Sequence, residues 1–268
     1  MNTVDQLLQK IEKYNSLDFG DVFSKSIELF KKVWVQGLIH TLILTAVMIP
    51  VVIVIYLAVM LGVFGSIGIA GAFAEGAFGE FSEGASVLTS ILVSIISVVV
   101  FFVIMIIPMA LSLAINAHFF LVCKRISNGE PEGSDYFYFL KGKYLKKVLG
   151  LSVAMLGIVF VAILLCVFPM FYAMVPLQLL VVVFAFNPDL KVSEIVSVSF
   201  KLGNKTWLVS FGLIMITALL IQTVSGITCG IGGLFVASAT YLPIYYIYDE
   251  VIGRSEKDGE VENVPLIN

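Results

Sequence analysis

Charge is scarce in this chain of 268 residues. Its 16 lysines and arginines and 19 aspartates and glutamates make up 13% of the sequence, whereas soluble domains carry about 25%. Hydrophobic residues reach 59%. So few charged side chains, unevenly distributed along the chain, cannot cover the surface of a water-soluble protein of this length. The composition therefore excludes an ordinary soluble protein and predicts a polytopic membrane protein.

Residue types that carry chemistry are also few. The chain has two histidines, His40 and His118, and three dispersed cysteines, too few for a histidine-rich metal centre or a disulfide framework. No G-x-S-x-G motif marks a serine nucleophile. No charged residue falls in the central part of an apolar segment, where intramembrane proteases and ion-coupled pumps need one. We therefore predict a protein that is not an enzyme, with no catalytic residue, metal site or cofactor.

A nucleic-acid partner is also excluded, because the net charge is −3 and the lysines form no dense basic patch. The partners that the composition favours are membrane lipids and other membrane or envelope proteins. The sequence predicts no particular oligomeric state.

Six apolar segments are long enough, or nearly so, to cross about 30 Å of hydrocarbon as helices. The second exceeds one perpendicular crossing, so we expect it to tilt, to bend at Pro108 or to extend into the headgroup region. Pro169 is predicted to mark a tight turn between the third and fourth spans, and Pro243 a kink in the sixth. The predicted spans are approximately 35–61, 87–122, 144–168, 170–186, 207–225 and 230–248.

The basic residues predict how these spans are oriented. All 16 lie before the first span, between the second and third or in the first turn of the third, between the fourth and fifth, or after the sixth. With six spans, these four regions share one side of the membrane, which the positive-inside rule makes the cytoplasmic side. We therefore predict a multi-pass protein of the plasma (inner) membrane with both termini in the cytoplasm.

Two polar segments match each other across a shift of 173 positions. Residues 17–38 precede the first span, and residues 190–211 precede the fifth. The only tryptophans of the chain, Trp34 and Trp207, fall in register. A weaker third copy lies at 133–151. The other identical pairs of the first two segments are Leu17/Leu190, Ser24/Ser197, Ser26/Ser199, Leu29/Leu202 and Lys32/Lys205.

This internal similarity predicts an all-α fold built from three repeats of an amphipathic cytoplasmic helix followed by a helical hairpin. The predicted single membrane domain covers 1–253, and a polar, disordered tail covers 254–268. The three repeats are placed at 17–128, 133–189 and 190–253.

The amphipathic segments carry apolar residues at helical spacing, which is typical of helices that lie at the headgroup boundary. Trp34, Trp207, Lys32 and Lys205 are predicted to anchor them at that interface, and Ser26 and Ser199 to pack within the repeats. The simpler interpretation makes these helices anchors and packing elements. The alternative is a cytoplasmic collar that binds lipids or a partner protein.

The segment FNPDLKVSEIVSVSFKLGNKTW, residues 186–207, contains a polar turn, Asn187–Asp189, then a helix with Ser199 near its middle and Trp207 at the membrane boundary. This pattern resembles the membrane domain fused to some glycerophosphoryl diester phosphodiesterases, and related six-span bacterial families such as the YciC-like envelope proteins. The resemblance implies a helical integral-membrane module. It implies no catalytic residue, because the hydrolase domain of the fused proteins is a separate soluble barrel.

Three amides are the remaining strongly polar candidates inside the spans: Asn116, Gln178 and Gln222. Polar side chains between membrane helices commonly hydrogen-bond across the helix interface, and this is the simpler interpretation. The alternative is a polar cavity lined by all three. Two histidines at the ends of spans, His40 and His118, are interpreted as interfacial or hydrogen-bonded rather than as ligands.

Glycine and alanine dominate residues 65–86, between the first and second spans, together with three glutamates, Glu75, Glu80 and Glu83. The segment is predicted to be a free loop, a re-entrant segment or a lid over an outward cavity. Its glycines match no nucleotide-binding pattern.

Two functions remain open. The first is a non-enzymatic membrane scaffold or accessory subunit of the bacterial envelope that organises lipids or partner proteins. The alternative is a small-solute or lipid transporter or channel that works through a polar cavity between the helices.

Overall fold

A computed structural model describes residues 3–74, 83–130, 135–165 and 168–253, and every regular element in these ranges is helical. Six of the helical stretches are long and apolar enough to cross a membrane. The chain is therefore a helical, multi-pass membrane protein. The helices are α1 (Val4–Lys13), α2 (Phe19–Ala74), α3 (Glu83–Ser127), α4 (Lys143–Leu164), α5 (Phe168–Phe186), α6 (Val192–Ile227), α7 (Ile231–Val236) and α8 (Tyr241–Tyr248).

The membrane-crossing stretches correspond to the six predicted spans, although their ends differ. Short 3₁₀ turns cover Tyr138–Leu140 and Ala237–Thr240, and a π-helical turn, Asp249–Gly253, follows α8. The apolar stretches are Phe19–Leu57, Met105–Ser127, Lys143–Leu164, Pro169–Phe186, Val192–Ile227 and Ile231–Gly253.

The amphipathic segments do not form separate helices. Residues 19–38 are the first part of α2, and residues 192–211 are the first part of α6. Neither junction contains a proline, and a single glycine within a helix lowers its stability without ending it. The expectation of an interfacial helix followed by a distinct spanning helix is therefore wrong for these two segments.

The weak third copy also differs from a helix over its first half. Residues 135–142 form turns and the 3₁₀ turn, and α4 begins at Lys143. Gly142 has a φ of +55°, a backbone conformation that a helix cannot continue through and that glycine adopts without strain. The start of α4 is therefore set by this glycine.

The segment between the first two spans is more helical than predicted. Residues 65–74 continue α2, and residues 83–86 begin α3. Alanine favours helix strongly, and the segment contains no proline to end it. A loop over the whole of 65–86 is therefore wrong. Residues 75–82, with Glu75 and Glu80, lie outside the described residues, as does the predicted tail at 254–268.

The structure places the three prolines differently relative to the helix ends. Pro169 is the second residue of α5, where its missing N–H costs no hydrogen bond. The sixth span is not one kinked helix: α7, the 3₁₀ turn and α8 follow each other, with Pro243 in the first turn of α8. Pro108 lies inside the uninterrupted α3.

Ion pairs bring the basic residues of several helices together at one end of the bundle, here named the basic end. Lys25 of α2 contacts Glu250 of the π-helical turn at 2.5 Å, and Lys143 of α4 contacts Asp189 at 2.9 Å. The hydrogen bond from Lys143 lowers the pKa of the Asp189 carboxyl below its usual value. Lys201 of α6 contacts Glu12 of α1 at 3.3 Å. These contacts join the ends of helices that are far apart in sequence.

Candidate ligand-binding cavity

The structure brings two of the three predicted intramembrane amides to one cavity. Asn116 of α3 and Gln178 of α5 both line it. Gln222 of α6 is exposed and lies outside it. The outward face of α6 at this level carries Leu219 and Leu220, both more than half exposed. The alternative interpretation, a polar cavity lined by all three amides, is therefore wrong for Gln222.

The cavity has a volume of about 420 Å³, within the range of about 300–1,000 Å³ that is typical of small-molecule sites. It lies between α3, α4, α5 and the start of α8. Most of its wall is apolar, and none of the described residues that line it is charged. The lining residues are Asn116, Phe120, Met155, Met170, Phe171, Met174, Leu177, Gln178, Val181, Thr240, Tyr241 and Ile244.

Gln178 lies near the middle of its span. It is nine and eight residues from the ends of Pro169–Phe186, which is on the order of 12–14 Å at 1.5 Å per residue. Asn116 lies eleven residues before the end of α3 at Ser127, about 17 Å by the same rise. Gln178 is therefore at the depth of the hydrocarbon rather than at the headgroups.

Pro176 and Gly203 fix the position of the α5 segment that carries Gln178. Gly203 of α6 faces Pro176, and a Cβ on Gly203 would lie 2.8 Å from the proline Cγ and 3.1 Å from its Cα. The absence of a side chain lets the two backbones approach closely, as is common between membrane helices. Among the described residues, α5 and α6 pair more extensively than any other two elements.

Pro176 has a second effect, because proline cannot donate to the carbonyl four residues earlier. That carbonyl belongs to Tyr172, and the indole Nε1 of Trp207 donates to it at 3.2 Å. The Tyr172 hydroxyl in turn donates to Oδ1 of Asn204. Trp207 therefore satisfies a backbone group that Pro176 leaves free, in addition to any anchoring at the membrane interface.

Behind the cavity, His40 of α2 is buried among aromatic rings, with 1% of its surface exposed. Its ring stacks on Phe119 at 4.4 Å between centroids and meets Tyr241 edge-on at 5.4 Å. Asn116 lies beside both His40 and Tyr241. Of the interpretation of His40 as interfacial or hydrogen-bonded, only the interfacial part is therefore wrong, because the imidazole lies inside the helix bundle.

Several buried polar atoms near the cavity have no hydrogen-bond partner in the described part of the chain. They include both ring nitrogens of His40, Oδ1 of Asn116 and Oγ of Ser238. Ser238 packs directly against the backbone of α2 at Gly37. Buried polar atoms without partners cost free energy, and they are usually satisfied by water or a ligand. Because Asn116 interacts with both His40 and Tyr241, these polar side chains offset part of that cost for one another.

Nδ1 of His118 also lacks a hydrogen bond to a described residue. This histidine packs against the ring of Tyr136 at 4.7 Å and is buried. It lies on the same helix as Asn116, two residues on, and so faces another direction. It does not line the cavity.

The remaining predicted site residues lie outside the cavity. Ser26 and Ser199 are both buried, and each donates to the carbonyl four residues earlier at 2.7 Å, Ser26 to Val22 and Ser199 to Ile195. The two matched serines thus make the same contact. Trp34 is 46% exposed, and Lys32 and Lys205 are exposed.

Within the residues that the structure describes, no group of three or more histidine, cysteine, aspartate or glutamate side chains is arranged to hold a metal ion. The sequence missed His40, Thr240 and Tyr241 as neighbours of Asn116. His40 could have been found from the sequence, because it lies inside an apolar stretch. A buried histidine there needs a polar neighbour to offset the cost of its burial.

No protein-family model, curated protein or solved structure matches this chain. The resemblance of residues 186–207 to six-span bacterial families therefore stays a prediction.

Proposed function

We propose that this membrane protein binds a small, uncharged, largely apolar molecule in the cavity between α3, α4, α5 and α8. The observation that carries the proposal is a cavity of about 420 Å³ that Asn116 and Gln178 line from two different helices within a mostly apolar wall. Such a wall with a few convergent polar groups is typical of small-molecule sites. Transport of a lipid or small solute is the activity that this binding would serve.

The position of the cavity wall favours entry of the ligand from the bilayer. Met170 and Phe171 line the cavity and are also exposed on the outside of the bundle, so the cavity adjoins the lipid-facing surface. Met155, Met170 and Met174 are flexible and polarisable, and methionines of this kind adapt to varied apolar ligands. An apolar molecule dissolved in the hydrocarbon could reach Gln178 without crossing the headgroup region.

Photolabelling of the full chain in nanodiscs tests the proposal. The probe is an octane chain that carries a diazirine, and mass spectrometry locates its adducts. We expect more adducts on the cavity residues Met170 and Met174 than on the lipid-facing Leu219. Gln178→Trp, which fills the cavity, should remove this excess, whereas Gln222→Trp on the outer face of α6 should leave it unchanged.

Equal labelling of the cavity and of Leu219 in the unmodified chain would overturn the proposal. So would cavity labelling that persists in a Gln178→Trp variant whose thermal unfolding is the same as that of the unmodified chain. Because the first comparison needs no variant, it stands even where the tryptophan disrupts folding.

Scaffolding by α2 is the second candidate function. The helix is 56 residues long, about 84 Å, which exceeds a hydrocarbon layer of about 30 Å more than twofold. Large side chains over a wide arc of its middle part are each more than half exposed, so this part of α2 offers apolar surface to a partner. They are Ile49, Val52, Ile53, Val54, Tyr56 and Leu57.

A photo-crosslinking amino acid at position 54 in place of Val54 tests whether α2 binds a partner protein. The same amino acid in place of the similarly exposed Leu219 of α6 is the control. Protein adducts at Val54 but not at Leu219 support it. Lipid adducts alone at both positions contradict it.

The orientation and location of the protein are part of the same proposal. We place the basic end in the cytoplasm, because cationic side chains are retained there during insertion. The chain would then be a protein of the plasma (inner) membrane with both termini inside, and its partners would be lipids and other envelope proteins. The pattern at 186–207 supports a bacterial six-span module.

A further inference from the structure

We infer that the ligand of the cavity carries an uncharged carbonyl group, as in the ester of a neutral lipid, and that the side-chain amide of Gln178 donates a hydrogen bond to that carbonyl. This inference rests on the proposed function and specifies the chemical class of the ligand. It starts from the difference between the two amides of the cavity.

Gln178 is the amide that a ligand can reach. It lines the cavity, is partly exposed, and makes no hydrogen bond through its side chain to another residue in the described ranges. In contrast, Oδ1 of Asn116 is buried, and the Asn116 side chain interacts with His40 and Tyr241. A molecule in the cavity would therefore meet the amide of Gln178.

The helical spacing of α5 points the Gln178 side chain into the cavity. Phe171, Met174, Gln178 and Val181 all line it, at intervals of three and four residues, so they lie on one face of the helix. The next residue, Leu179, is 1% exposed and faces the interior of the bundle. The exposed part of Gln178 is therefore on the cavity side of α5.

The amide of Gln178 has two N–H groups that need an acceptor. Lipid hydrocarbon chains supply none, so a purely apolar ligand would leave both N–H groups without a partner. A carbonyl oxygen accepts such a hydrogen bond without needing a donor in return. An ester or a ketone therefore satisfies Gln178 where an alkane does not.

The depth of Gln178 favours a carbonyl over a hydroxyl. Gln178 lies eight or nine residues from the ends of its span, so a polar group that reaches it leaves the hydrated headgroups. A hydroxyl loses partners for both its hydrogen and its oxygen on this path, whereas a carbonyl loses partners for its oxygen alone. The carbonyl is therefore the less costly group to bring to Gln178.

The cavity wall also disfavours a charged ligand. None of the described residues that line it is charged. A phosphate or carboxylate there would lose its hydration without gaining a counter-ion. The ester of a neutral lipid, which dissolves in the hydrocarbon, is therefore favoured over the headgroup of an anionic phospholipid.

Competition against the octane diazirine probe tests the inference on the full chain. The nanodiscs contain an ether-linked phosphatidylcholine, which supplies no ester carbonyl. The competitors are methyl decanoate, dodecan-1-ol and tridecane, which have similar lengths, and each is compared by its mole fraction in the bilayer. We expect the ester to displace the probe at a mole fraction about fivefold lower than tridecane, which corresponds to one net hydrogen bond. The alcohol should compete less well than the ester.

A matched pair of variants assigns the effect to Gln178. Gln178→Leu should remove the advantage of the ester over tridecane, whereas Gln222→Leu on the exposed face of α6 should keep it. The infrared band of methyl decanoate with a ¹³C-labelled carbonyl should move to lower frequency on binding to the unmodified chain and not on binding to Gln178→Leu. A band that does not move when the ester displaces the probe would contradict the hydrogen bond.

The source of the carbonyl is tested with two further esters. Trioleoylglycerol in the nanodisc should reduce labelling by the octane probe, whereas triacetin in the buffer should not. Competition by triacetin alone would overturn the assignment to a lipid.

The two proposals fail in different ways. If the octane probe labels the cavity no more than Leu219, the proposed function is wrong. If it labels the cavity but the ester competes no better than tridecane or the alcohol, the cavity binds apolar molecules and the inference is overturned. These comparisons use the unmodified chain, so they do not depend on whether Gln178→Leu folds.

Discussion

Trp34 and Trp207 occupy matched positions in the two similar segments, yet they have different surroundings. The indole of Trp207 donates to the Tyr172 carbonyl and stacks on Phe211 at 5.0 Å. Trp34 is 46% exposed and donates no hydrogen bond to a residue in the described ranges. At Trp207 the acceptor is available because Pro176 frees the Tyr172 carbonyl.

We therefore predict that Trp207→Phe destabilises the protein and that Trp34→Phe does not. The phenylalanine keeps the ring but removes the indole N–H, so the free carbonyl of α5 loses its partner at a cost of about 1 kcal/mol. Thermal unfolding in detergent measures both variants. Equal effects of the two substitutions would show that the hydrogen bond to Tyr172 contributes nothing.

Substituting Gly203 and Gly157 separately by alanine gives a second matched comparison. A Cβ on Gly203 would meet the backbone of Pro176, whereas nothing lies within 4 Å of the position of a Cβ on Gly157. We expect Gly203→Ala to cost about 1–3 kcal/mol by forcing α5 and α6 apart. Gly157→Ala should be neutral or stabilising by up to about 1 kcal/mol, because alanine favours helix.

Thermal unfolding of the two alanine variants decides this prediction. Gly203→Ala should also reduce photolabelling of the cavity, because the shift of α5 displaces Gln178. A Gly203→Ala variant as stable as Gly157→Ala would mean that the α5–α6 contact adapts freely.

The candidate site was predictable in part. A sequence shows which residues are unusual in an apolar span, but not which way they face or what packs against them. Asn116 and Gln178 stand out because amides are rare within apolar spans. Gln222 stands out in the same way, but its direction could not be read, since α6 around it is apolar on several faces. The contributions of His40 and Tyr241 depend on how α2 and α8 pack against α3, which spacing within one helix does not specify.

The positions of the helix ends were harder to predict from the sequence than the presence of the helices. The spans follow from apolar length, because about 20 residues are needed to cross the hydrocarbon. The continuity of α2 and α6 does not follow, because a helix ends where its backbone is broken or capped rather than where the membrane ends. Gly142 ends the loop before α4 with its φ of +55°, while Gly37 in α2 packs against Ser238 and leaves the helix intact.

The π-helical turn after α8 is joined to α2 by an ion pair. Glu250 is 6% exposed, and Lys25, at 29%, reaches both it and Asp21. The pair links the last described element to the first turns of the longest helix. Removing the buried carboxylate leaves the lysine ammonium with only the more exposed Asp21.

We expect Glu250→Gln to lower the free energy of unfolding by about 1–3 kcal/mol, as charged hydrogen bonds of partly buried groups do. Asp135→Asn is the control, because its ion pair with Lys141 is exposed on both sides, and such pairs contribute about 0–1 kcal/mol. Chemical or thermal unfolding in detergent compares the two. A loss no larger than that of Asp135→Asn would contradict a structural role for the link between α2 and the π-helical turn.

At the scale of the whole molecule, the two ends of the bundle differ in charge. Ion pairs gather Lys25, Lys143 and Lys201 at the basic end. The turn Thr228–Gly230 between α6 and α7 carries no charge and contains the exposed Cys229. If the basic end is cytoplasmic, this turn lies on the opposite side. The only other cysteines are Cys123, which is buried, and Cys166, which can be replaced by serine.

A membrane-impermeant maleimide should therefore label Cys229 of the Cys166→Ser variant from outside intact cells whose outer barrier is permeable to the reagent. The reason is that cationic side chains are not carried across the hydrocarbon during insertion, so the uncharged turn is the one that crosses. The matched control is Cys166→Ser/Cys229→Ser/Asn128→Cys, with the new thiol in the exposed turn after α3. It should react only after lysis. Labelling of Asn128→Cys in intact cells, with Cys229 protected until lysis, would reverse the orientation and place both termini outside.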